Sequence, residues 1–210
     1  MKLVHASCIG FVDETFSKAP VPGGGGVAAL AGALGTALGG MVCNLTTGKK
    51  KYAQYEEDIQ RIMKDAEGLK NRLMELIDED AENFFPLSQA YGLPKETEEQ
   101  KKYKEETLQK CFKVAIMGPV DIMKVCYGAI KLQEELVDKG SMLAISDVGC
   151  GVLLLKGAMQ SAWLNVIVNL NCITDEQYKA DMKAELIPMM DEGCKICDEV
   201  YAKVLAKLEK

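Results

Sequence analysis

Apolar residues recur at three- and four-residue intervals through most of the chain, and no stretch keeps strand-like alternation for more than a few positions. The pattern predicts a short amphipathic helix over Phe11 to Ser17. The breaker Ala19-Pro20-Val21-Pro22 and the glycine run Gly23 to Gly26 end it. A second helix is expected from about Val27 to Leu45. Ala28, Gly32, Thr36 and Gly40 stand on it at four-residue spacing, with Ala29, Ala33 and Ala37 alongside. Side chains this small let helix axes approach closely, but each interior glycine costs about 1 kcal/mol of helix propensity relative to alanine. Such a helix makes sense only when neighbours cover most of its surface.

A long, charged third helix follows from about Tyr52 to Ala90, its buried stripe marked by Ile59, Ile62, Met63, Leu69, Leu73, Leu76 and Ile77. Gly92-Leu93-Pro94 ends it, and Thr97 with Gln100 forms a capping-box pattern for the next helix. That fourth helix extends from about Glu98 towards Leu136, with Pro119 expected to kink or divide it. After a Gly140-Ser141 turn, a fifth helix covers about Met142 to Asn171. A last one starts near Thr174 or Asp175 and carries Pro188, where a bend is expected. The expectation is a single all-α domain over residues 1–210, an up-and-down bundle around a small-residue-rich central helix. Helices near 40 residues exceed what one small monomer needs, so dimerisation through the second or fifth helix is expected unless breaks shorten them.

Composition narrows the possible chemistry. Hydrophobic residues make up 48% of the 210, which excludes disorder, and the net charge of -6 gives no overall footprint for nucleic acid. The eight cysteines lie mostly in apolar helical stretches and read as small hydrophobes in a reducing, cytoplasmic setting. Cys194 and Cys197 form a single CxxC, read as structural thiols with a redox pair as the alternative, and with His5 the only histidine no metal site is expected. Acidic Asp13 and Glu14 arrive too early for a signal-peptide core. The charge-free run from Ala19 to Gly48 is long enough to span a bilayer. It is nevertheless rich in Gly, Ala and Pro, and a buried helix of a water-soluble bundle fits it better than a membrane span.

The most informative polar residues stand in apolar helices. Between Ser141 and Asn171 only Asp147 and Lys156 are charged. At about 100° per residue Asn165 falls on the meridian of Asp147, Ser161 and Asn169 lie close to it, and Lys156 is opposite. A carboxylate there needs a partner, a hydrogen bond or a wet cleft. Asp147 is either a tie between helices or a functional acid that takes a proton or holds a cationic heterocycle. Asn165 and Asn169 are either internal glue or readers of an amide-like ring. Asp80, near Phe84, and Asp121, after Pro119, share this setting. Neighbouring Asp78, Glu79 and Glu82 blur the first, and a first-turn acid is the plain reading of the second. Trp163 reads as core.

Gly23 to Gly26 match neither the dinucleotide fingerprint nor the phosphate loop. They offer bare N–H groups at a helix start, suited to a carboxylate or phosphate, or simply a turn that permits close approach. Lys49, Lys50 and Lys51 follow the other end of that helix, where the dipole favours them and where they could bind a polyanion or place an amine in a pocket.

Pro22-Gly23-Gly24-Gly25-Gly26-Val27-Ala28-Ala29-Leu30-Ala31-Gly32-Ala33-Leu34-Gly35 and Leu45-Thr46-Thr47-Gly48-Lys49-Lys50-Lys51-Tyr52 resemble the formiminotransferase-cyclodeaminase C-terminal family. Asp80-Ala81-Glu82-Asn83-Phe84, Leu93-Pro94-Lys95 and Ser146-Asp147-Val148-Gly149 resemble its later blocks, so the likeness covers nearly the whole chain. One departure is Gly26, where many members carry serine. The resemblance implies a dimeric helical bundle acting on one-carbon units of tetrahydrofolate. It implies no prosthetic group, with the folate as substrate. A methenyltetrahydrofolate cyclohydrolase is the first expectation, favoured by the absence of a transferase domain in this sequence. A formimidoyltetrahydrofolate cyclodeaminase is the alternative, and a noncatalytic folate-binding or scaffold protein the alternative of another class.

The resemblance also implies roles. Asp147 is expected at the pterin or the attacking water, and Lys50 as proton shuttle or alkoxide stabiliser. Asn165 and Asn169 are expected to orient the folate, with Asp80 and Asp121 as further substrate contacts. The N–H groups of Gly23, Gly24, Gly25 and Gly26, with Lys49 or Lys51, are expected to hold the glutamate carboxylates.

Overall fold

The computed structural model describes residues 2–210, and seven α-helices carry the fold. They are α1 (Cys8–Phe16), α2 (Gly24–Asn44), α3 (Glu56–Tyr91), α4 (Glu98–Ala115), α5 (Met117–Lys139), α6 (Ile145–Cys172) and α7 (Glu176–Leu208). Among the described residues there is no strand.

Several boundaries differ from the sequence pattern: α1 starts earlier, at Cys8, α3 and α6 start later, at Glu56 and Ile145, and two further differences bear on the site. Helix α2 begins at Gly24, so three of the four glycines form its first turn and Gly23 is its N-cap. The long fourth helix is divided at Ile116 into α4, of 18 residues, and α5, of 23. Pro119 is the third residue of α5, where a first-turn position needs no N–H donor. Only α3, at 36 residues, keeps the extra length expected of two helices. Thr97 and Gln100 form the expected capping box on α4, and Asp175 caps α7 by accepting from the N–H of Tyr178. The lysine run does not cap α2. That helix ends at Asn44, Gly48 turns the chain in the left-handed region at φ 71°, and Lys50–Tyr55 form a separate 3-10 helix.

Helix α2 lies centrally, packed on α3, α5 and α6. Its small residues explain how. A Cβ on Gly35 would stand 2.8 Å from the carbonyl oxygen of Gly151 on α6, and one on Gly32 would stand 2.8 Å from Cys126 Sγ on α5. Gly39 leaves room for Gln133, which is buried and donates from Nε2 to the Gly35 carbonyl at 3.1 Å.

Chain direction gives the bundle two distinct ends. The first gathers the start of α2, the second half of α3, the α4–α5 junction and the end of α6. The other gathers the end of α2, the lysine turn, the end of α5 and the start of α6. Two hydrogen bonds fix that second end: Ser141 N–H donates to Thr46 Oγ1 at 2.8 Å and Met142 N–H to Tyr52 Oη at 2.9 Å. Helix α1 buries only Phe11 and leaves Ile9, Val12 and Phe16 exposed.

The cysteines divide into buried, half-buried and exposed groups, with Cys111 and Cys194 half-buried. Cys43, Cys126 and Cys197 are buried as expected, and burial pushes their thiols up to about 11, 12 and 12 respectively, which removes them from redox chemistry at neutral pH. Cys8, Cys150 and Cys172 are instead exposed, and the last two lie on the outer face of α6. Trp163 is half-buried against the core.

Candidate active site

At the first end of the bundle a cavity of about 160 Å³ opens between α2, α3, α4, α5 and α6. Its apolar wall comes from Phe84, Leu87, Tyr91, Phe112, Pro119 and Val168. Asp80, Phe84, Leu87 and Tyr91 fall at i, i+4, i+7 and i+11 of α3, so a single helical face supplies the acid and most of the wall. The polar lining is Asp80, Asn165 and Asn169, and no lysine, arginine or histidine lines the cavity.

The glycine run exists to admit Asp80. A Cβ on Gly25 would collide with both carboxylate oxygens, and one on Gly118, at the start of α5, would stand 3.1 Å from Oδ1. The N–H of Gly26 donates to the carboxylate, so Asp80 occupies the positive end of α2. Burial nevertheless dominates and pushes the Asp80 carboxyl up to about 6, against the lowering effect of the Gly26 N–H. At neutral pH the group is mostly ionised and ready to take a proton.

Asn165 stands beside Gly24, whose Cβ would lie 2.9 Å from Nδ2. Its Nδ2 donates to the Ser161 carbonyl at 2.9 Å, and Asn169 Nδ2 donates to the Asn165 carbonyl at 2.8 Å. Each amide is thereby fixed by the turn before it, and its oxygen remains available to a donor on a ring in the cavity.

Asp147 does not join this group. It is a half-buried first-turn residue of α6, without a side-chain hydrogen bond or ion pair among the described residues. Eighteen residues separate it from Asn165, about 27 Å along one helix at ~1.5 Å per residue. The shared meridian holds, but the two residues stand at opposite ends of the bundle. Lys49, Lys50 and Lys51 are exposed at the Asp147 end. Asp121 lies on the flank, 3.3 Å from Arg72, whose guanidinium also pairs with Glu79 at 2.5 Å. A larger groove of about 690 Å³ between α2 and α3 is lined by Met41, Met63, Lys64 and Lys70 among others and contains none of the candidate catalytic or substrate-binding residues. Among the described residues no cluster of three His, Cys, Asp or Glu side chains is placed to hold a metal ion.

Sequence reading missed Phe84 as a wall residue, together with Tyr91, Phe112 and Pro119. The α3 spacing from Asp80 to Tyr91 was the signal that could have found the first two. It also missed Asp78, which is buried and accepts from the Leu3 N–H at 2.6 Å, holding the N-terminal segment onto α3.

Comparison with known proteins agrees with this architecture. The methenyltetrahydrofolate cyclohydrolase of Methylorubrum extorquens is 39% identical over 198 residues, covering 94% of this chain and 95% of the relative. The formimidoyltransferase-cyclodeaminase of Gallus gallus is 30% identical over 95% of this chain, which corresponds to only 36% of that longer protein. The crystal structure of formiminotetrahydrofolate cyclodeaminase from Thermotoga maritima superposes with a TM-score of 0.81 at 29% identity, covering 98% of this chain and 96% of that one. The family model described as formiminotransferase-cyclodeaminase matches residues 7–187. With that match across most of its length, the chain belongs to the formiminotransferase-cyclodeaminase family.

Proposed function

We propose that this protein hydrolyses 5,10-methenyltetrahydrofolate to 10-formyltetrahydrofolate, with Asp80 as the general base. The observation that carries the reading is the pairing of a half-buried, readily protonated acid with fixed amides inside an aromatic-walled cavity. The extended likeness to a cyclohydrolase of matching length supports it.

The bridging carbon of the substrate is an amidinium-type electrophile, so its own charge draws water. Asp80 takes one proton as the water oxygen bonds to that carbon. When the resulting tetrahedral adduct collapses, the bond to N5 breaks, the hydroxyl proton passes to N5 and the carbon leaves as the formyl group on N10. Phe84, Tyr91 and Phe112 offer flat apolar surface to the pterin, while Asn165 and Asn169 accept from its ring N–H groups. Because the Gly26 N–H is engaged by Asp80, the glycine turn acts chiefly by seating the base, with Gly23 and Gly24 left to approach the substrate.

The protein is read as cytoplasmic and homodimeric. Two segments, α2 and Met142–Cys172, are long and apolar enough to cross a membrane. They pack against each other and are about half covered within one chain, at 56% and 50% of their apolar windows. A second copy supplies the remaining cover.

Cyclodeamination is the second reading, favoured by the similarity to the Thermotoga maritima enzyme. There N10 attacks the formimino carbon and ammonia leaves, and the same acid could serve. Absorbance decay of 5,10-methenyltetrahydrofolate, run beside ammonia release from 5-formiminotetrahydrofolate, separates them. Enzyme-dependent methenyl decay without ammonia is expected. Ammonia release with methenyl accumulation would establish the second reading instead.

A further inference from the structure

Gln133 stands on α5 between Ala129, Ile130, Leu136 and Val137, all core residues, and is itself only 2% exposed. A buried glutamine has N–H donors and a carbonyl acceptor to place, so each end of its amide needs a partner. The nitrogen has one. Nε2 donates to the Gly35 carbonyl of α2 at 3.1 Å, and glycines clear the space around it: a Cβ on Gly39 would stand 2.6 Å from Nε2, and one on Gly151 of α6 2.7 Å. The oxygen differs. Oε1 is sealed from solvent and meets no donor among the described residues. Turning the amide over does not help, since an oxygen would then face the Gly35 carbonyl, acceptor against acceptor.

A small internal cavity lies beside this amide, at the junction of α2, α3 and α5. Thr36 and Gly39 wall it from α2, Ile62 and Ala66 from α3, and Gln133 and Leu136 from α5. At about 10 Å³ it has room for one water molecule and for nothing larger. Thr36, also 2% exposed, is the other polar side chain in the wall. Its hydroxyl proton is committed to the Gly32 carbonyl at 2.8 Å, so Oγ1 is left as an acceptor. Two acceptors on an otherwise aliphatic wall define the ligand chemically. It has to be small, and it has to donate twice. A hard cation is a poor match, because it takes about six or more oxygen ligands.

We propose that this junction is a binding site for a single water molecule, which donates one proton to Gln133 Oε1 and the other to Thr36 Oγ1. Gln133 then ties α5 to α2 twice, directly at Gly35 and through the water at Thr36. Thr36 and Ala66 also line the groove of about 690 Å³ between α2 and α3, so a single layer of side chains separates the bound water from bulk solvent and gives it a route of exchange. The site shares no lining residue with the Asp80 cavity and does not depend on the folate chemistry proposed there.

The wild-type protein supplies the first test. A crystal structure that resolves ordered solvent should show one peak within about 2.5–3.0 Å of both oxygens, the span of an O–H···O hydrogen bond. A cavity without density, a peak bonded to only one of the two oxygens, or a peak that refines as an ion overturns the proposal. Thermal unfolding of Thr36→Val and Gln133→Met, alone and together, tests the link in solution, since each replacement nearly keeps the size of the side chain and removes its polar atoms. Thr36→Val should lower Tm in the wild-type background, where it leaves the water with Gln133 alone. It should lower Tm markedly less in Gln133→Met, where the acceptor that needs the water is gone. An equal fall in both backgrounds would mean that the two side chains share no ligand, and overturns the proposal as well.

Discussion

At one end of the bundle Asp80 is set into a cavity walled by Phe84, Tyr91 and Phe112, with glycines pressed against its carboxylate. At the other, Lys49 to Lys51 are exposed and Asp147 is half-buried in the first turn of α6. The first end has shape and a displaced acid but lacks a cation. The second has cations and lacks a cavity. Polar residues on one meridian of one helix thus stand at opposite ends of the bundle, because a helical meridian fixes the direction of a side chain and says nothing about which end of the molecule it serves.

Substitutions can break this contrast. The largest effect is expected from Asp80→Asn, which should lower kcat by roughly 10²–10⁴-fold, the range for loss of a general base, in a stopped-flow methenyl decay assay with substrate binding retained. Lys50→Met, at the exposed lysine turn away from the Asp80 cavity, should lower kcat far less in the same assay. Asp147→Asn should cost less than either. Asp147 stands in the first turn of α6, at the other end of the bundle from Asp80, so a loss as large as that of Asp80→Asn would return the chemistry to the second end.

Packing predictions sharpen the comparison on the stability side. Gly35→Ala forces a methyl against the Gly151 carbonyl and should cost ~1–3 kcal/mol in urea unfolding, as overpacking does. Gly68→Ala, in a helix interior with nothing within 4 Å, should gain ~0.5–1 kcal/mol. Asp80 itself has a stability signature. Its folded pKa is raised, to about 6, so the native state binds its proton more tightly than the unfolded chain does. Stability is therefore lost as pH rises from the unfolded value of about 4 through 6. Asp80→Asn should match wild type in Tm below that window and exceed it above.

The helices were legible because their periodicity is strong, and Gly32 was legible as a close-packing site, whereas a Cβ on Gly40, at the same four-residue spacing, would meet nothing within 4 Å and the other tight contacts fall at Gly35 and Gly39. What stayed hidden was rotation within the acidic stretch of α3. Asp78, Glu79 and Asp80 are consecutive, yet they reach the Leu3 N–H, Arg72 and the start of α2 respectively. Nothing in their local composition distinguishes those fates; the neighbouring helices decide them. The early start of α2 was hidden for a related reason. Glycine is a poor helix former, and its turn is helical here because Asp80 accepts from it.

Asp80 as the proton acceptor is tested most directly by the pH dependence of initial turnover. Wild-type kcat for methenyl hydrolysis, with the uncatalysed rate subtracted, should rise about tenfold per pH unit below about 6 and level off above it. Asp80→Asn should show a low residual rate without that limb. The same limb persisting in Asp80→Asn, or disappearing in Asp147→Asn, would contradict the assignment.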